Sequence, residues 1–321
     1  MSRDTRMTEG QGSLRLAVIV PSFRRPDGLA RCLASLERQT RRPDEIAIGV
    51  RESDTPTLAV ISAAAERGVP VRAVTTEATG VVAAMTAALR GVSAKCDITA
   101  LLDDDATAHP DFCARILTAF AADATLGGFG GRDWQPWERG NAEPVGVVQW
   151  FGRVIGNHHL GAGAAREVDL LKGVCSAYRT APLRDIGFGT QLRGSGSQWG
   201  WELRVGLAMQ RQGWRLVYDP ALGVDHHIEP RQVDDQYHRG VFNADELMIG
   251  ASNETAILLE FLPWWRAAVF LLWSVLVGTR MLPGVLQLPR LLLMGKGLRW
   301  REFMATMRGR VDGLRAPRGV R

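Results

Sequence analysis

The chain has 321 residues, 46% hydrophobic and 23% charged, with 35 glycines and four cysteines. That composition belongs to a folded protein with a substantial core and excludes disordered, collagen-like and disulfide-scaffold classes. The formal charge of +5 is unevenly placed: residues 280–321 hold ten Lys or Arg against two acids, a local +8, which leaves residues 1–279 at −3. A basic tail on a mildly acidic body suits an anionic lipid surface better than a nucleic-acid groove.

Residues 1–13 are polar and lack the apolar run of a secretory signal, so they read as a flexible tail. The cysteines show no CxxC spacing and read as thiols of a reducing cytoplasm. Leu14–Val20 (LRLAVIV) is a short apolar run ended by Pro21, the pattern of a buried parallel strand. Helix follows at 27–39, with Leu29, Leu33 and Leu36 at helical spacing. The alternation continues with a strand at 45–50, helix at 58–66, strand at 69–74, helix at 81–89 and strand at 98–102. This predicts an α/β fold with a mostly parallel sheet, whose ligands sit beyond the carboxyl ends of the strands. Residues 127–166, rich in Gly and Trp, give no clear period; a helix at about 200–212 and a strand at 214–218 follow.

Two clusters carry chemistry. Asp103, Asp104 and Asp105 stand together at a strand end, where three carboxylates repel unless something positive lies between them. A divalent cation held by oxygen ligands answers that repulsion; an acidic turn before the helix opened by Pro110 is the plainer alternative. Glu202 lies at a helix start, where the dipole alone favours an acid, and Trp199 and Trp201 flank it with flat apolar rings suited to sugar faces or to core packing. No GxGxxG, P-loop lysine or GxSxG is present.

Four segments in order, VIVPSFRRP (18–26), LLDDDATAHPDF (101–112), WGWELRVGLAMQRQGW (199–214) and RLVYDPALGVDHH (215–227), resemble the inverting family 2 glycosyltransferases. The resemblance spans about residues 14–230. It implies a Rossmann-like sheet of the A-type nucleotide-sugar fold, to which the C-terminal apolar region adds helices. It assigns Pro21, Ser22 and Arg24 to the entrance of the sugar-nucleotide site, Asp103 and Asp104 to ribose and base-proximal contacts, and Asp105 with His226 to a divalent metal, Mg2+ or Mn2+. His227 is the next candidate ligand, and Glu202 matches the general base. Two positions depart from the family. The Asp that usually ends the second strand is replaced by Val50-Arg51-Glu52-Ser53-Asp54, which either moves that contact to Asp54 or removes it, and the first acid of the catalytic dipeptide is Trp201. Trp199 and Trp201 are assigned to the acceptor. Lys172 and Arg179 fall in a segment where a basic group reaches phosphate or is simply solvated; His158 and His159 read as loop residues, and GSGS at 194–197 as a loop over the sugar nucleotide.

Residues 256–278 are apolar but interrupted by Glu260, Pro263 and Arg266, leaving 12 uninterrupted residues. At ~1.5 Å per residue these span roughly 18 Å, short of a hydrocarbon core of about 30 Å. With Trp264, Trp265, Trp273 and Trp300 and basic flanks, the region fits an element lying at a membrane surface, with a single tilted span and a helical subdomain or contact between copies of the chain as the alternatives. The expected organisation is a tail (1–13), a catalytic domain (14–250) and an apolar, basic membrane-associating region (251–321). The expected activity is metal-dependent transfer, with inversion, from a nucleoside-diphosphate sugar to an envelope glycan or lipid-linked acceptor, at the inner face of the cell membrane and without nucleic acid as a partner. Rival readings are a sugar-nucleotide-binding scaffold and a metal-dependent nucleotidyltransferase.

Overall fold

A computed structural model describes residues 13–137, 140–227, 243–289 and 298–316. The first strand, β1 (Leu16–Pro21), is parallel to β2 (Glu45–Val50) on one side and to β4 (Ile98–Leu101) on the other; β3 (Val71–Thr75) extends the sheet beyond β2. Helices α1 (Pro26–Glu37), α2 (Thr55–Glu66) and α3 (Val81–Gly91) provide the crossovers. Leu29, Leu33 and Leu36 of α1 bury against Leu16, Val18 and Val20 of β1, as the leucine spacing predicts. After β5 (Ala106–Ala108) and α4 (Phe112–Ala122), a second half adds β6 (Leu126–Trp134), the short β7 (Val147–Val148), β8 (Val154–Ile155) and β9 (Arg166–Glu167), then β10 (Ser176–Arg179) and β11 (Arg215–His226).

Among the described residues the main sheet runs β3-β2-β1-β4-β10-β6-β11-β5, with β9 on β11. It is parallel from β3 to β4 and between β6 and β11; β10 is antiparallel to both its neighbours, and β5 is antiparallel to β11. This is the α/β architecture with a mostly parallel sheet that the alternating pattern implies.

The glycine-rich stretch departs from the sequence reading. Leu126–Trp134 is a nine-residue strand, buried along its first eight positions. Its glycines erase the period-two signal because the neighbours leave no room for side chains: a Cβ at Gly127 would lie 2.3 Å from Trp214 Cβ, and one at Gly131 2.1 Å from the Leu222 carbonyl oxygen. The last strand is also longer than 214–218. It continues through Pro220 with a register shift between Tyr218 and Gly223, which lets a proline sit inside a strand.

Helices α5 (Thr180–Ile186) and α6 (Trp201–Arg211) cover one sheet face. Beyond the sheet, α7 (Ala244–Phe261) runs through residue 250 without a break and packs on α6. Helix α9 (Leu298–Arg315) lies along α7, where Arg310, 1% exposed, donates to Thr255 Oγ1 at 2.9 Å and pairs with Glu254 at 2.8 Å. Helix α8 (Trp264–Leu276) buries Ala267, Phe270 and Ser274 but turns Trp264, Trp265, Leu272, Val275 and Leu276 outward. No helix among the described residues is long and apolar enough to cross a membrane.

Candidate active site

The carboxyl ends of β1, β2 and β4 open into a cavity of about 710 Å³. On one wall stand Pro21, Ser22, Phe23, Arg25 and Arg51; Asp103, Asp104 and Asp105 form the floor; Lys172, Trp199, Trp201, Glu202 and His226 close the opposite side. Each stands at or next to the end of an element or in the loop beyond it, the position where a parallel sheet leaves backbone free to turn.

The three aspartates have different surroundings. Asp104, 4% exposed, accepts from Ser22 Oγ at 2.8 Å and from Arg25 at 2.9 Å. Burial lifts its carboxyl to about 7 against the opposing pull of the Arg25 charge. Asp105 pairs with the same guanidinium at 3.0 Å and, through its other oxygen, with His226 Nε2 at 3.3 Å. Asp103, Asp105 and His226 each present a ligand atom, and these lie within 4.8 Å of one another. Two carboxylates and an imidazole are a suitable donor set for Mn2+ or Mg2+, so the residues fit a divalent ion. Asp103 thus joins the expected pair Asp105 and His226, and Asp104 turns to Ser22 and Arg25. His227 is directed elsewhere, its ring bonded to Thr107 Oγ1 at 3.1 Å.

His226 reaches this place because β11 pairs with β5 as well as β6, setting His226 opposite Ala106, one residue past Asp105. Its Nδ1 faces Asp133 Oδ2 at 3.5 Å. Although burial opposes the charged ring, the carboxylates of Asp105 and Asp133 raise its pKa to about 9. Lys172 Nζ also bonds Asp133, at 2.8 Å. Burial works against both charges, yet the His226 hydrogen bond and then the Lys172 charge hold Asp133 well below its ordinary range, and the Asp133 charge holds the lysine above its own.

Glu202 sits in the first turn of α6. Burial lifts its carboxyl to about 7; its own backbone N–H and Lys172 pull the value down, and Asp103 pushes it up. Gly200 before it has φ +108, a backbone setting that suits glycine and turns the chain into the helix. Trp201 is 6% exposed and packs edge-to-face on Phe188, with ring centroids 5.7 Å apart, so most of this ring is core even though its edge reaches the cavity. Trp199 lines the cavity and is tied down through its carbonyl, which accepts from Asn253 of α7 at 3.0 Å. The 194–197 loop lines it too, its Gly196 carbonyl accepting from Val81 N at 3.0 Å.

Several expected residues stand outside. Asp54 does not line the cavity: 2% exposed, it caps α2 through Thr57 N and accepts from Arg24 N at 2.5 Å. Arg24 is likewise absent from the lining, its guanidinium 5.0 Å from the Phe23 ring. Arg179 donates to the carbonyls of Leu126 and Asp123 at the far end of its strand. His158 and His159, by contrast, read as loop residues yet line the cavity; His158 is buried, bonded to the Leu170 carbonyl at 3.0 Å, and burial lowers its pKa to about 4.

Sequence reasoning overlooked Arg25, Arg51 and Asp133. Arg25 had no signal that set it apart from Arg24, and only the fold brings it to Asp104 and Asp105. Asp133, a lone acid in a glycine-rich strand, had a signal only once that strand was recognised.

Over residues 14–241 the chain matches the family model described as glycosyltransferase-like family 2. No curated protein matches it in sequence. Among solved structures it is similar to the mannosyltransferase PcManGT from Pyrobaculum calidifontis in complex with GDP-Man and Mn2+, at 16% identity over 95% of this chain and 88% of that one, with a TM-score of 0.55. It is also similar to S. aureus TarS 1–349 in complex with UDP-GlcNAc, at 14% identity over 96% and 93% of the two chains and a TM-score of 0.57. GalNAc-T7 with UDP, GalNAc and Mn2+ aligns at 13% identity over 85% of this chain and 53% of that one, with a TM-score of 0.62. At such identities the likeness establishes the A-type fold, and the family match, covering well over half of the sequence, establishes membership. The chain therefore belongs to the glycosyltransferase-like family 2 and is a glycosyltransferase with an acidic cluster suited to a divalent metal.

Proposed function

We propose that the chain transfers a sugar, with inversion, from a nucleoside-diphosphate sugar to a hydroxyl of an envelope glycan or lipid-linked acceptor. The observation that carries this reading is that Glu202 opens into the same cavity as Asp103, Asp105 and His226. An attacking hydroxyl must lose its proton as the glycosidic bond forms, and Glu202, with its carboxyl near 7, is the acceptor for that proton. One carboxylate base on one side and one acidic cluster on the other suit a single displacement. Asp103, Asp105 and His226 would hold Mg2+ or Mn2+, which when bound supplies positive charge to the leaving diphosphate. Arg25 and Arg51 add fixed positive charge on the Pro21–Ser22 side, and Lys172 does so beside Glu202. The Mn2+ in the PcManGT and GalNAc-T7 structures supports the metal reading.

The decisive experiment incubates the protein with UDP-, GDP- and dTDP-sugars and Mn2+ and reads the anomeric configuration of the product by proton NMR. A product retaining the configuration of the sugar nucleotide overturns the single displacement. One observation favours a scaffold that binds sugar nucleotide without turnover: Trp201 replaces an acid and is packed into the core. Nucleotide binding with no transfer or hydrolysis would select that reading.

The setting we propose is the inner membrane surface, met within 251–321 by α8 and the loop after it, because α7 crosses residue 250 unbroken and packs with the catalytic part. The outward side of α8 is apolar throughout, Leu272 being 63% exposed, and the following loop adds Val277, Met281, Val285 and Leu286. Residues 261–297 contain four basic residues and no acid. A helix apolar on both faces needs a cover, and an anionic bilayer suits that charge better than a second copy carrying the same sign. Met281 also lines the catalytic cavity, so this cover would bring an acceptor in the membrane to its rim. Sedimentation with vesicles containing anionic lipid tests this; a chain left in the supernatant at low salt excludes it.

A further inference from the structure

Asp133 lies behind the cavity lining, against its Gln135, Lys172 and His226, with 0% of its surface exposed. Its Oδ2 faces three hydrogen-bonding groups: Lys172 Nζ at 2.8 Å, Gln135 Nε2 at 2.9 Å and His226 Nδ1 at 3.5 Å. Its Oδ1 is buried with no hydrogen-bond partner among the described residues. An ionised carboxylate taken out of water is destabilised unless its partners compensate, and here one oxygen makes all three of these hydrogen bonds. A purely structural site would be cheaper with an amide or an apolar residue, so the arrangement points to a task.

The task follows from the line the atoms form. Asp133 Oδ2, the His226 ring and Asp105 Oδ1 are consecutive, with the ring's Nδ1 toward Asp133 and its Nε2 3.3 Å from Asp105. A carboxylate accepting from Nδ1–H fixes the imidazole in the tautomer that leaves the Nε2 lone pair available, and it fixes the ring plane as well. The same oxygen anchors Lys172, which lines the cavity together with Glu202. Backbone pairing maintains the spacing: Asp133 lies opposite Val224, two residues before His226, in the β6–β11 register.

We propose that Asp133 is a positioning residue that orients His226 Nε2 toward the divalent-ion site and sets Lys172 beside the base. This rests on the metal reading above and adds a residue that neither the sequence pattern nor the family motifs mark.

The test uses the full chain and Mn2+ alone. Asp133→Asn should weaken Mn2+ binding, measured calorimetrically, by about 10- to 100-fold, the usual effect of removing an outer-shell partner of a metal-binding histidine. His226→Ala should weaken it comparably, and the double variant should bind no worse than His226→Ala, because Asp133 acts through that ring. Binding by Asp133→Asn within threefold of the parent, or losses that multiply in the double variant, would overturn the proposal. Should the variant not fold, nitrogen NMR of the parent with Mg2+ decides: a proton on His226 Nδ1 supports the orientation, and one on Nε2 alone overturns it. The underlying metal reading fails separately, and takes the proposal with it, if the parent binds no Mn2+ or His226→Ala leaves the affinity unchanged.

Discussion

The carboxyl end of the sheet buries charge, whereas the outer side of α8 exposes apolar side chains, and each reverses the usual preference of its environment. Around the cavity Asp104, Asp105, Asp133 and His226 are all less than 9% exposed. On α8 and the loop after it, large apolar residues stand 37% to 81% exposed with Arg266 as the helix's one charge, and that guanidinium is turned onto the Trp150 and Gln149 carbonyls. The contrast is instructive because the two regions answer their cost differently. The cavity compensates its charges internally, by pairing Asp104 and Asp105 with Arg25 and Asp133 with Lys172. Helix α8 has no internal compensation on its outer side, so relief must come from outside the chain. A site for a charged ligand and a surface for an apolar one are what these two imbalances imply.

The largest effect that would break this comparison is at Glu202. Glu202→Gln should lower turnover by roughly 10² to 10⁴, the usual contribution of a general base, with nucleotide affinity nearly unchanged. Turnover within a few fold of the parent would make Glu202 structural. In the parent, turnover should rise with pH through about 7 as Glu202 loses its proton, and a rate flat from pH 5.5 to 8 would contradict its role.

Next comes Asp105→Asn, which removes a hard anionic ligand at nearly constant volume and should abolish the metal-dependent part of nucleoside-diphosphate binding. Titration calorimetry with UDP and GDP, with and without Mn2+, measures it; an undiminished metal effect would separate Asp105 from the ion. A smaller loss is expected on the apolar side. Replacing Leu272 and Leu276 together by Asp should reduce binding to anionic vesicles by about tenfold or more, while circular dichroism and nucleotide binding stay as in the parent. Point changes are cleaner than truncation, since α7 carries Asn253, which bonds the backbone of Arg193 and Trp199.

The smallest effect is on stability and has a definite sign. Glu202 has a folded-state pKa near 7 against an ordinary 4.5, so the folded chain holds that proton more tightly than the unfolded one. Its contribution is fully present below about 4.5 and is lost as pH rises through 7, a loss of roughly 1–3 kcal/mol. Glu202→Gln escapes that loss, so its melting temperature should gain on the parent's by a few degrees between pH 5 and pH 8. An equal difference at both pH values would show that burial does not strain this carboxylate.

Much of the site was legible because it lies where periodicity ends. Apolar runs stop at Pro21 and Leu102, and polar residues directly after them had to face the ligand side of a parallel sheet. Residues chosen between near-equivalent neighbours were harder to place. Arg24 and Arg25 are chemically identical and adjacent, yet the turn at Arg24, with φ +53, sends one guanidinium against Phe23 and the other onto Asp104. Asp54 was plausible as a ligand group until its hydrogen bonds to Thr57 and Arg24 showed it capping α2.

The alternation of strand and helix, the acidic cluster after the fourth strand, the helix-start glutamate and the apolar, basic C-terminal region are all legible along the chain. These are local properties, written in composition and spacing over a few residues. That a glycine-rich stretch is a central strand emerges in the folded chain alone, because its glycines answer to Trp214 and Leu222, which lie far along the sequence. Folding alone brought Asp133 between Lys172 and His226, 39 and 93 residues away, since pairing across a sheet carries no trace in the order of residues along any one strand.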